Sequence, residues 1–171
     1  SNDLDNDGNT TEQFSATTAN LTVNSTAAVS SRKAIQGYPN ATFYPLEGQS
    51  YLGGPMAYRL RVQNIGNIAL TNIVVVDILP HLGDTGVIVT NELRGSQWTP
   101  FLTGPVSGPA GVTVFYSQSY DPYRPELLPG GPEGAVDDWT PVPPADIRTV
   151  RSLKFAFNNT ALDPADTVEL S

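Results

Sequence analysis

The sequence predicts an all-β fold, a β-sandwich with long Pro/Gly-rich loops, on three observations. Its 171 residues include 15 Gly and 15 Pro, punctuation that suits many short strands. Charged residues make up only 15% of the chain and just two of them are lysines, whereas helix surfaces are usually built from Glu, Lys and Arg. The apolar residues, 39% of the total, recur with period two over short runs and show no sustained helical period.

Residues 1–17 are polar, acidic and without apolar period, and read as an arm or linker. The domain is expected over residues 18–171. Thr18 to Val23 alternates as a half-buried strand does, and Ala28 to Ile35 is a weaker strand candidate that carries Lys33. Tyr38 to Pro55 reads as a loop. Met56, Tyr58, Leu60 and Val62 then alternate with Ala57, Arg59, Arg61 and Gln63, a strand with one wet face. Asn64-Ile65-Gly66-Asn67 supplies turn chemistry. Thr71 to Leu79 is a second strand, rich in β-branched residues and ended by Pro80. Further strands are expected over Val87–Leu93, Val112–Ser119 and Ile147–Phe157, with a last one from Thr167. Residues 120–146 hold seven prolines and read as a structured loop insert. The chain stops at Ser171, inside that last expected strand, and is expected to be a fragment of something longer.

The net charge of −8 comes with no basic cluster, which argues against nucleic acid and anionic membrane surfaces as partners. No cysteine is present, so disulfides and thiolate metal sites are excluded. No apolar run approaches the roughly 18–20 residues of a membrane span. A single His81 with no Gly-x-Ser-x-Gly elbow or His-rich motif gives little from which to assemble an enzyme.

From Tyr58 to Pro80 the chain reads Tyr-Arg-Leu-Arg-Val-Gln-Asn-Ile-Gly-Asn-Ile-Ala-Leu-Thr-Asn-Ile-Val-Val-Val-Asp-Ile-Leu-Pro. This stretch resembles the signature of the "conserved repeat" immunoglobulin-like domains of bacterial cell-surface proteins, a family long described as of unknown function. Tyr58, Val62, Asn64, Gly66, Asn67, Thr71, Asn72, Val74, Val76, Asp77, Leu79 and Pro80 occupy the signature positions, and Lys33 falls where an earlier strand usually carries a Lys. The resemblance implies an immunoglobulin-like sandwich at the cell surface or cell wall, serving as a non-catalytic structural or adhesive stalk module. Its expected partners are neighbouring domains of the same polypeptide. The alternatives are an adhesin domain that recognises a glycan or host protein through residues 120–146, and an accessory domain of a secreted carbohydrate-active enzyme.

Three clusters carry candidate chemistry. Some surface domains of this kind lock their first and last strands with a Lys–Asn isopeptide bond, formed in an apolar pocket with help from a protonated carboxyl. Lys33, Asp77 and Asn158 occur in the required order, with Asn159 as the alternative acceptor. The plainer reading makes Lys33 a solvated strand residue, Asp77 a turn acceptor and Asn158-Asn159 a turn. Asp3, Asp5 and Asp7 in Asp-Leu-Asp-Asn-Asp-Gly match the opening of a calcium loop, but Phe14 stands where the closing Glu belongs. Calcium is therefore the one cofactor the arm could take, and a plain acidic linker is the alternative. Tyr120, Tyr123 and Trp139 lie among six carboxylates of the insert, a composition found in sugar-binding clefts and equally in proline-rich turns.

Overall fold

A computed structural model describes residues 22–171 apart from 39, 46, 129, 130 and 159. Six strands carry the fold: β1 (Val29–Gly37), β2 (Met56–Asn64), β3 (Val74–Ile78), β4 (Val112–Ser117), β5 (Ser152–Phe157) and β6 (Thr167–Leu170). A single 3-10 turn at Ile147–Thr149 is the one helical element among the described residues. The strands form two antiparallel three-stranded sheets, ordered β1-β2-β6 and β3-β5-β4. The all-β class is as the composition predicts.

Alternation explains the inner faces. On β2, Val62 is fully buried and Leu60 packs against the core, while Ala57 and Arg61 are exposed. Both sheets feed one apolar cluster, with Val62 and Leu170 from the first and Val114, Tyr116, Leu153, Phe155 and Phe157 from the second. Each such side chain contributes about 1.5–3 kcal/mol on burial. Lys33 on β1 faces Leu60 in register, and Asp77 on β3 faces Leu153, so both point into the space between the sheets.

The Asn-x-Gly-Asn turn has a structural reason for each residue. Asn64, fully buried, donates from Nδ2 to the carbonyls of Ile68 and Leu162, both at 2.8 Å, and its Oδ1 accepts from the Gly66 N–H at 2.9 Å. Asn67 holds the segment leading into β1, its Nδ2 donating to Asn24 O at 2.8 Å and its Oδ1 accepting from Thr26 N at 2.6 Å. Gly66 lies against that same segment; a Cβ there would meet Thr26 O at 2.2 Å. No side chain fits.

Several expected boundaries shift. Residues 1–17, with Asp3, Asp5 and Asp7, lie outside the described residues, as do 18–21; Thr22 and Val23 are not in a strand. The run from Thr71 begins as a strand only at Val74, because Asn72 takes a φ of 56°, a left-handed turn conformation that Asn tolerates. The segment from Ile147 opens as a 3-10 turn capped by Asp146, which accepts from Arg148 N, and becomes a strand at Ser152. The Arg148 guanidinium beside Asp146 holds that carboxyl below its usual range.

Val87–Leu93 is not a strand. The segment 84–94 folds on itself, with Gly86 N donating to Glu92 O and Arg94 N to Asp84 O, both at 2.9 Å. Only an isolated bridge joins Thr85 to Leu93. The apolar run Val87-Ile88-Val89 therefore marks no buried face: Ile88 and Val89 are exposed. The 120–146 insert is a structured loop, tied back by bridges Pro122–Val136 and Tyr116–Thr140, the latter against β4.

Candidate functional site

Lys33 and Asp77 meet between the two sheets. Nζ donates to Oδ1 at 2.7 Å and to Oδ2 at 2.9 Å, and the carboxylate is 11% exposed against 28% for the lysine. The ammonium also lies 4.3 Å from the centre of the Tyr58 ring, which stacks on Trp98 at 6.5 Å with the planes 3° apart. Burial pushes the Tyr58 phenol up from 10.0 to about 12, with the Asp77 charge adding to the effect and Arg94 opposing it. The result is a charged pair, sheltered by aromatic rings, that links β1 of one sheet to β3 of the other.

Asn158 is elsewhere. Its Nδ2 donates to Thr113 Oγ1 at 2.8 Å and its backbone N–H to Gly111 O at 3.1 Å, on the exposed end of β5. Asp77 is paired with Leu153, five residues back, which at about 3.3 Å per residue separates Asn158 from the pair by roughly 16 Å along the strand. The structure therefore does not bring Asn158 to Lys33 and Asp77: β5 runs past Asp77, and Asn158 follows its far end. Asn159 lies outside the described residues.

The insert's three aromatic residues each have contacts of their own. Tyr120 stacks against His81, centroids 3.7 Å apart, and Arg151 sits 5.3 Å from its ring centre. Trp139 donates from Nε1 to Tyr123 O at 2.6 Å and lies under Lys154 Nζ at 4.9 Å. A Cβ on Gly131 would meet the Tyr123 ring at 2.7 Å, so that face is covered by backbone. Four of the six insert carboxylates have structural partners: Asp121 with Arg124, Glu126 with Lys154, Asp138 with Ser117 and the Gln118 N–H, and Asp146 with Arg148.

Comparison with protein-family models, curated proteins and solved structures finds no match to this chain. Its chemistry is therefore read from its own geometry. Among the described residues no three His, Cys, Asp or Glu side chains are arranged to hold a metal ion, and no helix is long and apolar enough to cross a membrane.

Sequence reasoning pairs Lys33 with Asp77 but misses Tyr58 as the ring beneath the ammonium. The signal was present, since Tyr58 stands two residues from Leu60, the register partner of Lys33. It also misses Asp84 and Arg124, both 2% exposed. Local sequence does not mark them, because their burial depends on Arg94, Ser96 and Val87 folding across.

Proposed function

We propose that this chain is a non-catalytic, force-bearing module of a bacterial cell-surface protein, with the two sheets laid out as an immunoglobulin-like sandwich. One observation carries the reading. β1 and β6 both pair antiparallel with β2, so they run parallel to each other on its two sides. The chain enters β1 at Val29, opposite Asn64, and leaves β6 at Leu170, opposite Leu60. Tension between these points pulls β1 and β6 in opposite directions along the strand axis. The ladder hydrogen bonds lie across that axis, so they must fail together in shear, not one at a time.

Further contacts reinforce the same path. Asn64 N donates to Asp166 O at 3.1 Å and Ala165 N to Asn64 O at 3.0 Å, extending the short β2–β6 ladder, and the Lys33–Asp77 pair ties β1 to the second sheet. The resemblance of Tyr58–Pro80 to surface-repeat domains supplies the cellular setting. Glycan recognition on a Tyr120, Tyr123 and Trp139 platform draws no support from rings already covered by His81, Lys154 and backbone.

Single-molecule pulling tests the proposal. The chain has no cysteine, so Ile65→Cys at an exposed turn gives a unique handle. Pulling between the N-terminal side of β1 and residue 65 peels β1 from β2, whereas pulling through the two ends shears both ladders. The end-to-end geometry should unfold at the higher force. Equal forces in the two geometries would remove the reading.

A further inference from the structure

The β1-β2-β6 sheet ends in two edges that pair with no further strand among the described residues. On β1, Ile35 exchanges both backbone hydrogen bonds with Tyr44, at 2.9 and 2.8 Å, on the side away from β2. Backbone direction alternates along a strand, so Lys33, Ser31 and Val29 turn their N–H and C=O groups to that same side. None of the three has a backbone partner there among the described residues. On β6, Asp166 O accepts from Asn64 N, so Val168 and Leu170 also face β2, while Thr167 and Glu169 turn their backbone groups outward. Ser31, Thr167 and Glu169 are exposed. Tyr44 closes the β1 edge beyond Lys33 and leaves an open stretch, Val29 to Lys33, that suits the four residues of β6.

The two edges carry opposite charge. Across the outer face of the sheet Arg32 stands opposite Arg61, and Arg61 opposite Glu169. Arg32 thus has a like charge on one flank and an open edge on the other. It is exposed and forms no salt bridge among the described residues. Glu169 reaches Arg59 at 3.5 Å with both side chains in contact with solvent, and its outer flank is open as well. A charge on an edge strand normally keeps the strands of neighbouring molecules apart. Here it does so selectively. Pairing β1 with β1 gathers arginines without an acid, and pairing β6 with β6 gathers glutamates without a base. Only β1 against β6 sets an acid beside a base.

We propose that β6 of one copy of this chain adds to the β1 edge of the next, continuing the sheet from molecule to molecule. β1 and β6 run parallel within the sheet, so copies in the same orientation add β6 parallel to β1. With Ser31 beside Val168 of the second copy, the parallel pattern has Ser31 N–H donate to Thr167 O and Lys33 N–H to Glu169 O, while Glu169 N–H donates to Ser31 O. That register sets the second copy's Glu169 next to Arg32, and the row across the outer face becomes Glu169, Arg32, Arg61, Glu169. The contact joins two different edges, so each copy keeps one edge free for the next.

Sedimentation equilibrium of the full chain tests the proposal. The average mass should rise with protein concentration past that of a dimer, and should fall when salt is added. Arg32→Glu and Glu169→Arg, both at exposed positions, should each weaken association about tenfold or more by setting like charges together. An equimolar mixture of the two variants should associate again, because each edge then meets its opposite charge, a rescue that misfolded variants could not give. Amide hydrogen exchange at Ser31, Lys33 and Glu169 should slow as the parent protein associates. The proposal is overturned by a monomeric mass at about 1 mM protein, by association that ends at a dimer, or by single variants that associate like the parent. No recovery in the mixture, or unchanged exchange at those three amides, would overturn it equally.

Discussion

Lys33 and Asp77 belong to different sheets and meet between them, the ammonium lying 2.7 and 2.9 Å from the two carboxylate oxygens. Such a pair is held at the cost of desolvating both charges. Asp77→Ala, which strands a half-buried lysine, should lower the unfolding free energy by about 1–3 kcal/mol in chemical denaturation. The double variant Lys33→Met with Asp77→Leu should recover most of that loss, because an apolar pair needs no desolvation. A double variant as unstable as Asp77→Ala would show that the contact matters for shape and not for charge.

The same geometry predicts an intact mass equal to the sequence mass. A Lys33–Asn158 amide would leave the chain one ammonia lighter, and a Lys33–Asp77 amide one water lighter. Asn158 is bonded to Thr113 at the far end of β5, and both oxygens of Asp77 accept from the lysine. Mass spectrometry of the denatured protein reads either deficit directly.

Tyr58 gives the pair a signature in alkaline titration. Its phenol is pushed up from 10.0 to about 12, mainly by burial. The fold therefore favours the neutral phenol, and the unfolded chain loses that proton first as pH rises. The stability this residue contributes is full below about pH 10 and falls between about 10 and 12. Tyr58→Phe should remove the tyrosinate absorbance step near pH 12 and flatten the decline in stability over that window. A Tyr58→Phe protein with the same pH profile as the parent would place the cause elsewhere.

Asn64 is the test of the turn. It satisfies two carbonyls, of Ile68 and Leu162, from a fully buried amide. Asn64→Ala leaves both acceptors bare beside a small void and should cost about 2–4 kcal/mol, measured by urea denaturation. Asn64→Asp should be comparably damaging, because it replaces the donors with a buried charge. A loss under about 0.5 kcal/mol, the range of ordinary surface changes, would mean that water takes over both carbonyls.

What the sequence makes legible follows the range of the interactions. β2 is readable because Tyr58, Leu60 and Val62 alternate against wet neighbours, and β4 and β5 because their apolar runs end in turn residues. The pairing of Lys33 with Asp77 is readable from an acid on an apolar strand face that needs a donor. Asn158 misleads because chain order says nothing of how far β5 slides past β3. Val87–Leu93 misleads because a short β-branched run alone cannot show that Gly86, against which a Cβ would meet Val89 O at 2.5 Å, lets the segment close on itself. Buried Asp84 and Arg124 are least legible, since Arg124 reaches the Val87 carbonyl from 37 residues away and Asp84 is held by Arg94 and Ser96 only once their segment folds back.

The turn before β6 yields a prediction against the usual rule. Asp163-Pro164-Ala165-Asp166 closes with Asp166 N donating to Asp163 O at 3.0 Å, and Ala165 takes a φ of 71°. Proline at the second position and positive φ at the third describe a type II turn, which prefers glycine there. An alanine in the left-handed region costs roughly 1–2 kcal/mol, while glycine's extra freedom in the unfolded chain offsets about 0.5–1 kcal/mol of any gain. Ala165→Gly should therefore raise stability by about 0.5 kcal/mol or more, where a glycine elsewhere lowers it. Ala161→Gly, four residues earlier and outside the left-handed region, is the control and should be neutral or destabilising. Thermal unfolding of the two variants reads the difference, and Ala165→Gly melting below the parent would show that the turn relieves its strain some other way. Because Ala165 N also donates to Asn64 O at 3.0 Å, a relaxed turn should strengthen the β2–β6 seam as well, and the end-to-end unfolding force should rise with the melting temperature.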